Sequence, residues 1–162
     1  MSPQLQQEIK QTRPFRSLPE ETFLNVLRAS ATLMAGLSEL LRPAGLTQPQ
    51  YNVLRILRGA GQAGLPSGEI GERMLSRDPD VTRLIDRMEK LGLVVRERAT
   101  ADRRVVIVRI TGHGLDVVDG LDQDMLILHE NQLGHLGEER MRLLIDILQD
   151  VWNPEPAAAS RS

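Results

Sequence analysis

Apolar residues recur at helical spacing along most of the chain. From about residue 20 they follow each other at steps of four, seven, three and four until Pro43 ends the pattern, which predicts one long amphipathic helix. Further leucines widen this stripe, so we expect the helix to be covered on more than one side. The stripe consists of Phe23, Leu27, Met34, Leu37 and Leu41, widened by Leu24, Leu33 and Leu40.

Two shorter helices are predicted next. The segment Thr47-Gln48-Pro49-Gln50 has the form of a capping box with a proline in the first turn, which predicts a helix start. Apolar positions at helical spacing then continue to the glycines that begin at Gly59. Ser67 has the chemistry of an N-cap, and the apolar positions after it predict a short helix that ends near Leu75.

A third helix and a hairpin follow a tight turn. Asp78 with Pro79 predicts a helix start, and the apolar spacing continues over Asp78–Leu91 until Gly92 ends it. The period then becomes extended, because 93–98 and 104–110 are β-branched runs joined by the short polar segment 99–103. This part of the chain therefore predicts one β-hairpin of two strands.

The remaining segments complete a mostly α-helical organisation. Helical spacing returns over 114–133 and again over 138–151. The predicted divisions are an irregular, Gln- and Pro-rich arm (1–19), an N-terminal helix (20–45), a helix-turn-helix with a wing (46–111), C-terminal helices (112–153) and a disordered tail (154–162).

Composition and charge narrow the function classes. The 162 residues are 41% hydrophobic and 26% charged, which is typical of a globular protein of one domain with helical extensions. The net charge of -2 is the sum of two regions of opposite charge. Residues 1–112 carry 17 basic and 12 acidic side chains, whereas residues 113–162 carry 3 basic and 10 acidic side chains. The weakly basic part of the chain is the part that contains the predicted helix-turn-helix.

Several classes of function are disfavoured. The chain has no cysteine, so disulfides, Cys-ligated zinc and thiol switching are ruled out. His129 and His135 are six residues apart, which does not match the i,i+4 spacing of a helical metal pair, although a site with Glu130 stays open. We find no Walker loop, dinucleotide fingerprint or nucleophile elbow, and therefore expect neither an enzyme nor a cofactor. The polar first ten residues and the lack of a long apolar run predict a cytoplasmic protein.

The predicted order of elements is that of a helix-turn-helix followed by a β wing. The second helix of such a motif enters the major groove of DNA, and an arginine on a thin hairpin can enter the minor groove. Eighteen of the 20 basic residues are arginine, whose planar guanidinium suits both kinds of contact. The candidate DNA-binding residues are Ser67, Asp80, Val81, Thr82, Arg83 and Arg87 on the helices, with Arg98, Arg103 and Arg104 on the wing.

Four stretches of the sequence resemble the MarR family of winged helix-turn-helix regulators. They are residues 46–51, residues 81–94, the Asp-x-Arg at 102–104 and the Ile-Thr-x-x-Gly at 110–114. The resemblance extends over roughly residues 20–152, and its wing motif is the most specific part. It implies a homodimer formed through the first and last helices, which binds a pseudo-palindromic double-stranded operator, more often as a repressor. It also implies that Asp102 holds Arg104 in place for the minor groove.

The resemblance also implies a small effector, an aromatic acid or a phenol, bound between the dimerisation helices and the winged region. Such a ligand would change the spacing of the two recognition helices. The residues expected to border this crevice are Leu33, Leu37, Arg42, Tyr51 and Arg55.

Some features have alternative interpretations. Asp78 and Asp80 stand where many relatives have Ser or Thr; a carboxylate there can accept from a cytosine amino group or brace Arg83. Arg96 is expected to pair with its neighbour Glu97 or across the hairpin rather than with DNA. The whole winged helix could instead be a protein–protein interaction module without DNA binding, and surface charge would distinguish the two.

Overall fold

A computed structural model describes residues 3–76, 80–98 and 104–153 of the chain. Contacts divide the chain into two compact units, Met1–Gly120 and Leu121–Ser162. Asp78, Asp102, Arg103 and the predicted tail lie outside the described residues.

The first unit contains the helix-turn-helix and the wing. Its helices are α1 (Pro3–Glu8), α2 (Leu18–Leu41), α3 (Gln48–Ala60), α4 (Ser67–Arg73), α5 (Val81–Lys90) and α6 (Gly112–Gly120). Its strands are β1 (Leu65–Pro66), β2 (Val94–Arg98) and β3 (Val106–Ile110). The mostly α-helical class with a small β wing is confirmed.

The N-terminal arm is more ordered than its composition predicts. It contains the helix α1, which begins at Pro3, a position where the missing N–H of proline does no harm. Leu5 and Phe15 are buried, and Glu8 forms an ion pair with Arg28 of α2. Apolar burial and this ion pair therefore structure part of a segment that was expected to be irregular.

Side-chain caps set the start of two helices. The α2 helix begins at Leu18, two residues before the predicted position, because the Ser17 hydroxyl accepts from the Glu20 N–H at 3.3 Å. The capping box before α3 is confirmed, since the Gln50 side chain accepts from the Thr47 N–H at 2.8 Å. The prediction for Ser67 was wrong: it is the first residue of α4, and Pro66 occupies the cap position without a side-chain bond.

The sheet has a strand that the sequence pattern did not reveal. Its order is β1-β3-β2, with both pairs antiparallel, and Val108 of β3 lies opposite Leu65 of β1 and Arg96 of β2. The predicted two-stranded hairpin is therefore part of a three-stranded sheet. The sequence did not predict β1, because two residues are too few to show a period. Gly64 precedes β1 at φ +66°, and a Cβ there would collide with the Val108 carbonyl.

One hydrophobic core lies beneath the helix-turn-helix and the wing. It is built from the inward-facing side chains of α3, α4 and α5 and from one residue each of β2 and β3, all of which are at most 2% exposed. These members are Val53, Leu54 and Leu57 of α3, Ile70 of α4, Ile85 and Met88 of α5, Val94 of β2 and Val108 of β3.

The junction between the wing and α6 explains the Ile-Thr-x-x-Gly motif. The Thr111 hydroxyl donates to the Gly92 carbonyl at 2.7 Å and accepts from the Gly114 N–H at 2.9 Å. Thr111 therefore caps α6 and ties it to the end of α5. A Cβ at Gly114 would collide with the Leu93 carbonyl, so only glycine lets the helix approach so closely.

The second unit contains α7 (Asp122–Leu133) and α8 (Glu138–Trp152). The single helix predicted over 114–133 was wrong, because the chain turns at Leu121 and separates α6 from α7. Gly120, a poor helix former, ends α6 at this point. Leu121 and Met125 are buried. The α8 helix instead exposes much of its apolar side: Leu143, Leu144, Ile145, Ile147, Val151 and Trp152.

The substitution Gly114→Ala tests the close approach of α6. We expect a loss of about 1–3 kcal/mol in the free energy of unfolding, because an added methyl must push packed backbone apart. Urea denaturation measures this quantity.

Gly112→Ala is the matched control in the same helix, since a Cβ at Gly112 would meet no described atom within 4 Å. It should leave stability unchanged or raise it slightly. Equal stability of the two variants would contradict the explanation given for Gly114.

Candidate nucleic-acid interface

The α5 helix separates its side chains cleanly into an inner and an outer face. Asp80 is its N-cap, and the carboxylate accepts from the Arg83 N–H at 3.1 Å. Leu84, Ile85 and Met88 are each at most 3% exposed. The remaining positions include the predicted outward residues Val81, Thr82, Arg83 and Arg87, of which Val81 is half-buried and the other three are exposed.

Asp80 also holds the side chain of Arg83. The Arg83 Nε lies 3.0 Å from Asp80 Oδ2, while the Arg83 side chain stays 81% exposed. Of the two roles considered for this carboxylate, bracing Arg83 is therefore observed in the structure. Arg87, one turn further along, donates from Nε to the Arg83 carbonyl at 3.3 Å. The helix starts at Val81 rather than near residue 78, because Asp80 is the residue that caps it.

A cavity of about 350 Å³ lies between α5, the start of α4 and the wing. Its lining includes the hydroxyl-bearing residues Ser67 and Thr82 and the arginines Arg96 and Arg104. Of these two arginines, Arg96 is already engaged by carboxylates of α5. Three predicted residues (Ser67, Thr82 and Arg104) meet here. Arg98 lies elsewhere, exposed at the end of β2.

Arg96 forms the densest group of polar contacts near this cavity. Its Nε and a terminal nitrogen donate to Glu89 Oε2 at 2.9 and 2.6 Å, and its backbone N–H donates to Glu89 Oε1 at 3.1 Å. Its other terminal nitrogen pairs with Asp86. We call Arg96, Asp86 and Glu89 the α5–β2 clamp. The predicted pairing of Arg96 with Glu97 is wrong, because Glu97 instead accepts a hydrogen bond from Arg109 at 3.2 Å.

Two positioning contacts had no clear signal in the sequence. Asn52 of α3 is 8% exposed, and its Oδ1 accepts from the Leu75 N–H at 3.0 Å, which fixes the chain just after α4. Arg109 of β3 donates from one terminal nitrogen to the Gln62 and Ala63 carbonyls at 2.7 and 2.8 Å. The position of Asn52 as a polar residue within the apolar run of α3 was the one sequence feature that could have indicated its role.

The residues predicted to border an effector crevice lie on α2, α3 and the turn between them. Tyr51 is buried, and the Arg55 guanidinium carbon stands 6.0 Å from its ring centre. Arg42 pairs with Glu39 at 2.6 Å. Leu33 and Leu37 are half-buried. None of these five lines the 350 Å³ cavity.

Within the described ranges, no three His, Asp or Glu side chains cluster as metal ligands would. Across the same part of the chain, no helix has both the length and the apolar content needed to cross a membrane.

The exposed helix face, the adjacent wing and the core beneath them define a winged helix-turn-helix protein. The model of the MarR family matches residues 44–105. The crystal structure of a MarR transcription factor from Planctomyces limnophilus is 37% identical, covers 84% of this chain and 98% of that one, and has a TM-score of 0.65. The HTH-type transcriptional regulator FarR of Neisseria gonorrhoeae is 26% identical over 91% of this chain and 99% of its own length.

A similar fold also occurs in the crystal structure of the S. aureus MepR–DNA complex, at 20% identity and a TM-score of 0.72, over 81% of this chain and 95% of that one. The chain belongs to the MarR family. It is a DNA-binding transcriptional regulator rather than an enzyme.

The α5–β2 clamp predicts how stability responds to acid. The hydrogen bonds and charge of Arg96 lower the pKa of Glu89 below its ordinary value of 4.5. A lowered carboxyl pKa stabilises the fold above the unfolded-state value, and that contribution is lost as the pH falls through the folded-state value. Glu89→Gln should therefore lower the urea midpoint near neutral pH, and the difference from wild type should shrink below about pH 4.5.

Glu138→Gln is the control, because the Glu138–Arg142 pair of α8 is far more exposed and such pairs contribute little. Its urea midpoint should stay close to that of the wild type throughout. A Glu89→Gln difference that is as large at about pH 3 as near neutrality would rule out this account of the clamp.

Proposed function

We propose that the protein is a homodimeric, ligand-responsive repressor that acts in the cytoplasm on a pseudo-palindromic operator. In this proposal α5 enters the major groove and the wing enters the minor groove. Its DNA-binding residues are the predicted set on α4, α5 and the wing, with Asp102 bracing Arg104. The observation that carries the proposal is the polar, Arg-bearing face of α5 beside the wing arginine Arg104.

The geometry of α5 supports major-groove reading. Its buried side anchors the helix, so Thr82, Arg83 and Arg87 project away from the core. A guanidinium can contact guanine O6 and N7 together, and the methyl groups of Val81 and Thr82 can meet a thymine methyl. The brace from Asp80 limits the directions that Arg83 can take, which favours selective base contact over loose attraction to phosphate.

Uncovered apolar surfaces support the homodimer. On α2, Phe23 is 61% and Leu27 is 50% exposed, and α8 exposes a longer apolar series that ends at Trp152. Apolar patches of this kind are typical of interfaces. A two-fold dimer would place two copies of α5 about 34 Å apart, the distance between successive major grooves. A repressor of this kind acts by occupying its operator.

Response to a ligand is proposed from the family. CouR of Rhodococcus jostii RHA1, a structural neighbour at 22% identity, is bound to p-coumaroyl-CoA in its crystal structure. We propose a small aromatic or phenolic effector for this protein, with Leu33, Leu37, Arg42, Tyr51 and Arg55 at its site. Such a ligand must bind one spacing of the recognition helices more tightly than the other in order to change DNA affinity.

Substitution of the two groove arginines tests DNA reading directly. With the DNA upstream of its own gene as the probe, Arg104→Ala and Arg83→Ala should each weaken binding by about 1–3 kcal/mol. Arg83→Ala should also reduce the preference for the operator over unrelated DNA. Electrophoretic shift or fluorescence anisotropy at fixed salt measures both effects.

Arg140→Ala removes an equal charge from α8, in the acidic part of the chain, and should leave the affinity nearly unchanged. Two results would contradict the proposal that this surface binds DNA. In the first, all three variants bind the DNA as tightly as the wild type does. In the second, neither the wild type nor any variant binds it. The second result would instead favour a winged helix that binds another protein.

Substitution within α8 tests the homodimer. Leu143 and Ile147 lie one helical turn apart and are 58% and 50% exposed. The double variant Leu143→Asp/Ile147→Asp should shift the protein from dimer to monomer, because charge cannot be buried cheaply in an apolar interface. Sedimentation equilibrium gives the oligomeric state.

Gln149→Asp places one carboxylate, against the two of the double variant, at a polar position of the same helix and should leave the dimer intact. A wild-type protein that sediments as a monomer, or a double variant that dimerises as well as the wild type, would overturn the role proposed for α8.

A further inference from the structure

The α5–β2 clamp joins the two parts of the molecule that are proposed to reach different grooves. Asp86 and Glu89 belong to α5, whereas Arg96 belongs to β2, ten residues after Asp86 and seven after Glu89. Three nitrogens of one guanidinium and the backbone N–H of the same residue are used at once. Arginine is the side chain whose several donors in a planar fork can serve two carboxylates together.

The clamp sits at the base of the wing. In the β2–β3 register, Arg96 lies opposite Val108, and the strand ends two residues later at Arg98. Arg104, further along the chain, lines the same cavity as Arg96. From the central strand, Arg109 ties β3 to the carbonyls of Gln62 and Ala63, which precede β1. Among the described residues, the clamp joins the hairpin to α5 by ion pairs.

We infer that Arg96 is a positioning residue for DNA binding, which fixes the wing relative to α5 so that both parts meet their grooves in one rigid arrangement. The inference rests on the proposed function, in which Arg83 and Arg104 touch DNA. A tethered group gains affinity in proportion to its effective concentration at its target, and a freely swinging wing lowers that concentration. Arg96 therefore acts through Arg104, and the contribution of Arg83 to DNA affinity does not depend on Arg96.

This role predicts a particular pattern of double-mutant coupling. In the wild-type background, Arg104→Ala should weaken operator binding about tenfold or more. In the Arg96→Gln background the same substitution should cost about threefold or less, because a loosely held wing contributes little to binding. Arg83→Ala should cost the same factor in both backgrounds. Anisotropy titrations of the full chain with the upstream DNA provide all of these constants.

A direct contact of Arg96 with phosphate is the competing explanation. It predicts that the loss of DNA affinity caused by Arg96→Gln adds to the loss caused by Arg83→Ala and equally to the loss caused by Arg104→Ala. Such additivity would overturn the inference. The variant Asp86→Asn/Glu89→Gln provides a second test, since it breaks the clamp but keeps Arg96. A positioning role predicts the same loss of coupling to Arg104, whereas a phosphate contact predicts unchanged or tighter binding, because two negative charges are removed.

The matched control is Arg58→Gln. Arg58 bridges α3 and α6 through Asp119 at 2.7 Å, and its side chain is 30% exposed, close to the 34% of Arg96. In the Arg58→Gln background, Arg104→Ala should still weaken operator binding as much as it does in the wild type. A smaller effect of Arg104→Ala in this background too would refute a special role for Arg96. Failure of Arg83→Ala and Arg104→Ala to weaken the wild-type protein would instead refute the proposed function itself.

Discussion

The burial of one side of α5 fixes which of its side chains can face outward. Leu84, Ile85 and Met88 fill the core between α3, α4 and the sheet. Each such side chain contributes about 1.5–3 kcal/mol by leaving water. A rotation of α5 by one residue would expose this set and bury charged neighbours, which costs far more than any surface contact could return. The direction of the recognition face is therefore a consequence of packing.

Polar contacts then set the finer geometry on that packed base. Asn52 holds the chain after α4, Thr111 ties the start of α6 to the end of α5, and Arg109 attaches β3 to the preceding loop. The α5–β2 clamp completes this set at the base of the wing. Partly exposed ion pairs contribute little to global stability. Their effect lies in orientation, which matters if α5 and the wing meet two grooves of one duplex as proposed.

Local signals predicted the elements well and their boundaries less well. The capping box of Thr47 and Gln50 placed the start of α3 correctly, because all of its interactions lie within four residues. The start of α5 was misplaced because Asp78 and Asp80 are both chemically able to cap, and only the folded chain shows Asp80 in that role. The strand β1 was missed because two residues have no period, and its pairing with β3 spans more than 40 residues.

The sequence by itself determined the class of fold and the inner and outer faces of α5. These follow from periodicity and capping, which act over one or two helical turns. Tertiary structure alone decided the partners of Arg96. Glu97 was the nearest carboxylate along the chain, yet Arg109 takes it, and Arg96 turns to Asp86 and Glu89. Long, flexible charged side chains pair with whatever packing brings within reach, so their partners are fixed only when helix and strand are assembled.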